Sequence, residues 1–317
     1  MPTLPAALHA HLAQLLPEER LGAGLAEPRR PAIRVNTLRT TRAQALAALQ
    51  GAGIGARPVE WLDDALAVEA GSVRAIQATA AFAAGHLHLQ GLASIAVAHA
   101  LEPRPGDRVL DACAAPGSKA SHLAALMQNQ GTLVAADASR ARMFRLRGVL
   151  DHLGAVAQVQ VERAERWGRR APASFDRVLV DAPCSAEGRA LAGEEDAAAD
   201  WSPRKCKRLA SAQKAILHSA IEACAPGGTI VYSTCTLGVE ENEGVLERAL
   251  ERYEGRVEME EMPVHIPGAE PGFVSWRGRP LQPDLAKARR VAPLPAAAHP
   301  DGPWLEGFFI ARLRRLA

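Results

Sequence analysis

The chain has 317 residues, a formal net charge of +2 and 48% hydrophobic residues. This is enough for one large domain plus a smaller one, and no window approaches the ~18 uninterrupted apolar residues that a transmembrane helix needs. The N-terminus lacks the basic segment of a secretory signal, and the five cysteines are odd in number with no Cys-x-x-Cys pair, which argues against disulfides and structural zinc. We therefore expect a cytoplasmic protein without a membrane or metal partner, and we take it to be a monomer.

The N-terminal part, residues 1–75, is predicted to form a small α+β domain. Residues 8–16 have the apolar spacing of a helix, and residues 32–36 alternate as a half-exposed strand would. Thr41 is a suitable N-cap for the helix that follows it. Residues 59–68 offer one or two further strands.

The second part, residues 76–317, alternates between helix and strand patterns. Helices are predicted over residues 81–101, 118–127, 140–153, 205–224 and 240–253. Strands are predicted over residues 108–111, 132–137, 157–161, 175–181, 228–233 and 308–313, with a Pro- and Gly-rich loop at 260–300. This succession predicts an α/β fold with a doubly wound, mainly parallel sheet, preceded by the small domain.

Two cysteines follow predicted strands. Cys184 lies in Asp-Ala-Pro-Cys-Ser and Cys235 in Tyr-Ser-Thr-Cys-Thr, each after a short apolar run that is typical of a buried parallel strand. In an open α/β sheet, ligands bind at the carboxyl ends of the strands. A lone cysteine is more often an inert core residue, and Cys113, Cys206 and Cys224 keep that interpretation. The matched positions of Cys184 and Cys235 instead indicate covalent catalysis on a pyrimidine ring.

The first strand of the second part ends in an acid and a tight turn, from Asp111 to Lys119. Gly117 and small residues allow a ligand to approach the backbone. The turn has neither the Walker A pattern nor Gly-x-Gly-x-x-Gly, so a dinucleotide is disfavoured. Asp137 ends the next strand, where a Rossmann-type sheet holds ribose hydroxyls, although a helix N-cap is the alternative for this residue alone. S-adenosylmethionine, a nucleoside cofactor without pyrophosphate, fits this pattern.

Cytosine C5 is a poor nucleophile towards a methyl sulfonium, but a thiolate that adds at C6 turns the ring into an enamine. A free thiol has a pKa of about 8.5, so the site must supply a base or a positive field. Asp181, at the end of the strand before Cys184, can bind the ring N3 and amino edge. Lys119 can add positive field or contact the base.

These motifs resemble the RsmB/Sun-type RNA cytosine-C5 methyltransferases over roughly residues 30–317. Further matches are the stretch from Arg34 to Arg39, the Glu-Glu-Asn-Glu segment at 240–243 and the closing Gly-Phe-Phe at 307–309. The resemblance implies a class I, Rossmann-like methyltransferase with an N-terminal RNA-recognition domain. It also implies that Cys235 attacks C6 while Cys184 assists product release.

The resemblance further implies a set of binding residues. The residues expected to bind S-adenosylmethionine are Cys113, Ala114, Ala115, Pro116, Gly117, Ser118, Lys119, Asp137, Arg142, Glu162 and Asp181. Glu162 stands where the family often has an aspartate after the third strand. The residues expected to bind RNA are Arg34, Asn36, Arg39, Gln77, Trp201, Lys205 and Arg208.

Two basic stretches support an RNA partner. Residues 29–42 contain five arginines, beginning with Arg29, and residues 204–214 contain five basic residues, and neither stretch contains an acid. Phosphate binding is favoured if both flank one cleft. Solvated basic faces and the codon bias of a GC-rich genome are the alternatives.

The sequence therefore predicts a methyltransferase acting on C5 of a cytosine in RNA. Ribosomal RNA is preferred over transfer RNA because residues 201–213 resemble ribosomal-RNA members. A transfer-RNA methyltransferase, a non-catalytic RNA-binding paralogue in ribosome assembly, and a methyltransferase with a DNA or protein acceptor are the alternatives. A binding module has no chemical need for both thiols, and methylation of an amide or amine needs no covalent nucleophile.

Overall fold

A computed structural model describes residues 4–26, 30–295 and 297–316, so Arg29 lies outside the described residues. Within these residues the α-helices are α1 (Ala6–Leu12), α2 (Glu18–Ala26), α3 (Arg42–Gly51), α4 (Val73–Gln77), α5 (Ala80–Ala83), α6 (Leu92–Leu101), α7 (Ser118–Leu126), α8 (Arg140–Leu153), α9 (Trp167–Arg170), α10 (Glu187–Leu191), α11 (Glu195–Ala199), α12 (Pro203–Ala223) and α13 (Glu243–Arg252). The strands are β1 (Ala32–Val35), β2 (Gly55–Val59), β3 (Leu62–Ala70), β4 (Leu87–Leu89), β5 (Arg108–Asp111), β6 (Thr132–Asp137), β7 (Gln158–Val161), β8 (Phe175–Asp181), β9 (Cys224–Thr234), β10 (Val257–Glu260), β11 (Glu270–Pro271), β12 (Ser275–Trp276), β13 (Arg279–Pro280), β14 (Arg289–Val291) and β15 (Phe308–Arg315).

The N-terminal sheet has the order β2-β3-β1-β4, with each pair antiparallel. Every residue of β1 is buried, so the expected half-exposed strand is wrong. One face of β1 packs with α6 through Ala32, and the other packs with α3 through Ile33. Thr41 caps α3, and with Gln44 it forms a capping box.

The long helix predicted over residues 81–101 is also wrong. The segment divides into α5, β4 and α6, because Gly85 takes a positive φ of 69° and Gly91 is the N-cap of α6. Strand β4 pairs with β1 and places His88 opposite Arg34. The N-terminal sheet therefore takes its fourth strand from beyond residue 75, where the sequence placed the domain boundary.

The central sheet has nine strands, eight of them in the order β11-β14-β15-β9-β8-β5-β6-β7, with β10 paired to β15. Strands β5 to β9 are mutually parallel, and β15 runs antiparallel to β9. This confirms the predicted doubly wound, mainly parallel sheet with a small N-terminal domain. The carboxyl ends of β5, β6, β8 and β9 consequently share one edge of the sheet.

The C-terminal region contains more regular structure than the sequence suggested. Residues 260–300, predicted as a loop, include the short strands β11 to β14. The final strand, β15, lies beside β9 with Phe309 opposite Thr234. Among the described residues, no helix is both long enough and apolar enough to cross a bilayer.

Candidate active site

The two thiols that follow β8 and β9 are in contact. Because Asp181 is opposite Ser233 in the parallel register, the loops after these strands start side by side. Cys184 Sγ lies 3.1 Å from Cys235 Sγ. Both side chains are free thiols and half-buried. The sequence predicted two thiols at one sheet edge, and the structure brings them together.

The contact with Cys235 favours the protonated form of Cys184. The hydrogen bond with Cys235, together with burial, raises the pKa of Cys184 well above its usual range. A thiol that stays protonated can donate its S–H to a neighbouring thiolate, and such a charge-assisted bond stabilises the anion. The contact therefore places the S–H of a protonated Cys184 within reach of the Cys235 sulfur.

Buried side chains hold together the two loops that carry the cysteines, residues 182–186 after β8 and 235–238 after β9, which are the thiol loops. Ser185 and Thr236, which directly follow the cysteines, have hydroxyl oxygens 2.7 Å apart. The N–H of Ser185 donates to the Glu241 carboxylate at 3.0 Å, and the N–H of Leu237 donates to Glu187 at 2.9 Å. Both glutamates are fully buried. Each therefore satisfies backbone groups that the irregular loops leave unpaired.

The Glu-Glu-Asn-Glu segment at 240–243 continues this bracing. Asn242 Nδ2 donates to the carbonyl of Thr236 at 3.1 Å, and its Oδ1 accepts from the hydroxyl of Thr234 at 2.6 Å. Glu243 forms a buried ion pair with Arg290 at 2.6 Å. The segment that resembles the family motif thus holds the residues on either side of Cys235 in place.

A lysine–aspartate pair lies beside the thiols. Lys119 Nζ is 2.9 Å from Asp181 Oδ2, and the other oxygen of Asp181 accepts from the hydroxyl of Ser233 at 2.8 Å. Burial lowers the pKa of Lys119, but Asp181 raises it more, and the net shift is upwards. The ammonium also lies 5.1 Å from the centre of the Phe308 ring. Lys119 therefore supplies a permanent positive charge beside the two thiols.

The cleft at this edge has a volume of about 790 Å³. Its lining includes most of the predicted cofactor residues together with the thiols: Asp111, Cys113, Ala114, Ala115, Pro116, Ser118, Lys119, Asp137, Arg142, Asp181, Cys184 and Cys235. Gly117 lies in the same turn and takes a φ of 117° at the N-cap of α7. Cys113, expected to be an inert core residue, is half-buried and faces the cleft.

Carboxylates at the ends of three neighbouring strands, β5, β6 and β8, face this cleft. Asp111 is fully buried, and its Oδ2 has no hydrogen-bond partner in the described structure. Burial and the nearby charge of Asp181 raise the pKa of Asp111 to about 7. Asp137 accepts from the N–H of Ser139 at 2.9 Å and pairs with Arg142 at 3.0 Å. This array suits a positively charged ligand that offers hydroxyl or amine donors.

The structure does not bring Glu162 into the cleft. Its carboxylate pairs with Arg170 at 2.8 Å and accepts from the N–H of Arg163 at 2.9 Å. The side chains that line the cleft from this region belong to Arg163 and Glu165. Glu162 was identified by counting residues back from Asp176 without a gap. This count selects a residue whose side chain does not line the cleft.

Two of the predicted RNA contacts are buried, which corrects their assignment. Arg34 and Asn36 are each 1% exposed. Arg34 donates to the hydroxyl of Ser121 at 2.9 Å, and Asn36 donates to the carbonyls of Gly85 and Leu153 at 2.7 and 2.8 Å. These side chains join the N-terminal sheet to α7 and α8, so they do not contact RNA in this conformation.

The remaining predicted RNA contacts divide into two kinds. Arg39, Gln77 and Arg208 are exposed, as an RNA contact requires. Trp201 is half-buried and donates to Glu187 at 2.9 Å, and Lys205 pairs with Asp200. Trp201 therefore belongs to the support of the thiol loops, and the charge of Lys205 is partly compensated.

Sequence reasoning missed two cations of the cleft. Arg163 follows β7 by two residues, and Arg189 lies in the helix that follows Cys184. Their positions after strands were the available signal, since this is the criterion that identified the cysteines. Gly307 was noticed only as part of a motif. A Cβ on Gly188 would lie 2.0 Å from the Gly307 carbonyl, so two glycines let the last strand reach the thiol loops.

Comparison with known proteins agrees with this geometry. The family model of the 16S rRNA methyltransferase RsmB/F matches residues 98–314, and that of the ferredoxin-like domain of RsmF/B-like methyltransferases matches residues 5–74. The chain is 35% identical over 295 residues to the human 28S rRNA (cytosine(4447)-C(5))-methyltransferase. The alignment covers 92% of this chain and 35% of that protein. It is 34% identical over 324 residues to ribosomal RNA small subunit methyltransferase F of Aeromonas hydrophila, which covers 98% of this chain and 64% of that protein.

The chain thus spans between one third and two thirds of the length of these curated relatives. Among solved structures, a methyltransferase homolog protein from Pyrococcus horikoshii is similar with a TM-score of 0.78 at 28% identity, over 99% of this chain and 100% of that one. Since the first family model matches well over half of the sequence, the chain belongs to the RsmB/F methyltransferase family.

Proposed function

We propose that the protein transfers a methyl group from S-adenosylmethionine to C5 of a cytosine in ribosomal RNA, through a covalent adduct between Cys235 and C6. One observation carries this proposal: two thiols 3.1 Å apart, at the carboxyl ends of adjacent strands, stand beside a half-buried lysine–aspartate pair. A covalent attack on an electrophilic ring needs such a nucleophile, and its release needs a second group close to it.

The cleft fits S-adenosylmethionine by its hydrogen-bond acceptors and its charge. Asp111 and Asp137 offer carboxylate oxygens at neighbouring strand ends, and Asp111 Oδ2 is buried without a partner. These carboxylates suit the ribose hydroxyls and the cationic groups of the cofactor better than a phosphate-bearing ligand. The turn from Cys113 to Ser118 would hold the rest of the molecule. When bound, the cofactor supplies an electrophilic methyl group.

The residues of the chain then divide the work on the cytosine. Cys235 Sγ bonds to C6, and the electrons of the C5–C6 double bond move towards the ring N3, where the Lys119 ammonium stabilises the developing negative charge while Asp181 accepts from the exocyclic amino group. C5 thereby becomes nucleophilic and accepts the methyl group. Cys184, once its own thiol proton has passed to solvent, takes the C5 proton, which restores the double bond and expels Cys235 as a thiolate. Cys184, in contact with Cys235, is placed to assist this release.

Ribosomal RNA is the proposed substrate because the most similar relatives are named for it. Arg142, Arg163 and Arg189 also line the cleft, where each pairs with a carboxylate, of Asp137, Glu165 and Glu194 respectively. Both thiols must remain reduced for this chemistry, which supports a cytoplasmic location.

The proposal can be tested directly. Purified protein should transfer label from radioactive S-adenosylmethionine to ribosomal RNA, and bisulfite sequencing should locate the modified cytosine. The same position should become unmethylated in RNA from a deletion strain. Labelling of transfer RNA alone would overturn the substrate assignment, and a product methylated on a nitrogen would overturn the mechanism.

A further inference from the structure

The first turn of α7 connects the N-terminal sheet to the cleft. Its opening residue Ser118 follows the cofactor-facing turn, and the next residue, Lys119, pairs with Asp181. Ser118, Ser121 and His122 have the i, i+3, i+4 spacing that places side chains on one face of a helix. All three are bonded to residues of the N-terminal sheet.

Each of these bonds is short and at least partly buried. Arg34 of β1 donates to Ser121 Oγ at 2.9 Å, and that hydroxyl donates to the Ser118 carbonyl at 3.0 Å. His88 of β4, opposite Arg34 in the sheet, lies 2.9 Å from Ser118 Oγ. The hydroxyl of Ser121 therefore has one donor and one acceptor, which fixes its orientation.

A second connection runs through Asp64 of β3. Its two oxygens lie 2.6 Å from His122 Nε2 and 2.9 Å from His99 Nε2, with His99 on α6. Two ligands on one tetrahedral zinc ion would be about 3.3 Å apart, given Zn–N and Zn–O distances near 2.1 Å. The 2.6 Å separation is instead that of a hydrogen bond, so Asp64 joins the sheet to two helices directly.

We propose that Arg34, Asp64 and His88 are positioning residues, which hold the first turn of α7 so that Lys119 and the cofactor turn keep their places in the cleft. The inference rests on the proposed function for the identity of the ligand. It gives the stretch from Arg34 to Arg39 a purpose other than RNA binding. The N-terminal sheet then supports the chemistry from behind the cleft, whatever else its exposed surface contacts.

The test separates cofactor binding from RNA binding. Calorimetric titration of the full chain with S-adenosylhomocysteine should show about a 10-fold weaker Kd for Arg34→Met, because a buried charged hydrogen bond to the helix is lost. kcat for RNA methylation should fall, while KM for RNA stays unchanged. Arg34→Lys keeps a charged donor and should recover part of the affinity.

A second variant and a control keep the result interpretable. Ser121→Ala removes only one hydroxyl, and its effect on Kd should not add to that of Arg34→Met, because both changes break the same contact. Thr41→Ala removes the N-cap of α3, a helix that packs on the same sheet, and the capping hydrogen bonds involve Gln44 and no residue of α7. It should therefore leave Kd unchanged.

Three outcomes would overturn the inference. These are a raised KM for RNA with an unchanged Kd, full additivity of the two variants, or an equal loss of affinity in Thr41→Ala. Since S-adenosylhomocysteine binding needs no RNA, these results remain readable if the wild-type chain methylates no cytosine. Failure of methylation in the wild type would count against the proposed function alone.

Discussion

The thiol loops after β8 and β9 and the turn after β5 are held in place by different means. Buried carboxylates and an amide bind the backbone of the thiol loops, as Glu187 and Asn242 do. The turn after β5 is held by close packing together with hydrogen bonds, such as that from Arg142 to the Ala115 carbonyl. Ala114 and Ala115 pack against α8, and a Cβ on Gly117 would lie 3.1 Å from Val149 Cβ.

The difference predicts how each region responds to change. A substitution in the support of the thiol loops leaves a buried donor or charge without a partner, which is costly. A substitution in the turn fills space that backbone and cofactor need. The five variants below test this contrast, and the reacting thiols come first.

Cys235→Ala should reduce methyl transfer by at least roughly 10⁴-fold, because the group that adds to C6 is gone. Affinity for S-adenosylhomocysteine should stay within about twofold of wild type, since the cofactor turn is untouched. Label transfer and calorimetry measure the two quantities. Activity close to wild type would sink the covalent mechanism.

Cys184→Ala should slow turnover by roughly 100-fold or more, because release of the adduct loses its assisting group. The variant should accumulate an enzyme–RNA complex that survives a denaturing gel. If the complex accumulated in Cys235→Ala and not in Cys184→Ala, then Cys184 would be the attacking thiol and Cys235 the one that assists release.

Glu187→Gln should lower the free energy of unfolding by about 3 kcal/mol, since a buried carboxylate that accepts three hydrogen bonds and pairs with His11 is replaced by an amide. The three donors are the N–H groups of Leu237 and Gly238 and the indole N–H of Trp201. Denaturant titration measures the loss. Glu251→Gln, which changes an exposed ion pair at i,i+3, is the control and should cost under about 0.5 kcal/mol.

Asp111→Asn should stabilise the protein at alkaline pH. The folded carboxyl has its pKa raised from 3.8 to about 7, so between these values the folded state holds a proton that the unfolded state has released. Wild-type stability must therefore fall as pH rises through this window, and the variant should escape roughly 2 kcal/mol of that loss. Thermal unfolding at pH 4 and pH 8 checks the sign. An equal stability difference at both values would contradict the burial argument.

Gly117→Ala should have the smallest effect, about 1–2 kcal/mol, from its positive φ and its contact with Val149. Its Kd for S-adenosylhomocysteine should rise several-fold because the turn must shift. Gly53→Ala is a matched control, with a φ of 72° and no atom within 4 Å of the added Cβ. Equal effects on Kd would show that packing at the turn is unimportant.

The central sheet was predictable because its strands are continuous apolar runs bounded by turns. The bounds of β6 and β8 agree with those predicted. The segment 81–101 misled because it is rich in alanine and leucine, which favour helices, and a strand of three residues is too short to show a period of two. Gly85 and Gly91 were the only local signs of the breaks.

The site was predictable where residue type and position coincide. Cys184, Cys235 and Asp181 each follow a strand and carry chemistry that the core does not need. Arginine in a basic stretch carries no such information, because a guanidinium buried against Ser121 and one exposed to phosphate look alike in sequence. Glu162 was chosen by its spacing along the chain, which does not determine whether a side chain lines the cleft or pairs with Arg170.

The 3.1 Å contact between the thiols limits how much charge the pair can hold. Two thiolates at that distance would repel strongly in a half-buried site, so loss of a proton from one sulfur opposes loss of a proton from the other. Once Cys235 is bonded to carbon it is no longer anionic, and the repulsion that opposes ionisation of Cys184 is removed. In the proposed mechanism the spacing therefore imposes an order: Cys235 must form its bond to C6 before Cys184 can act as a base.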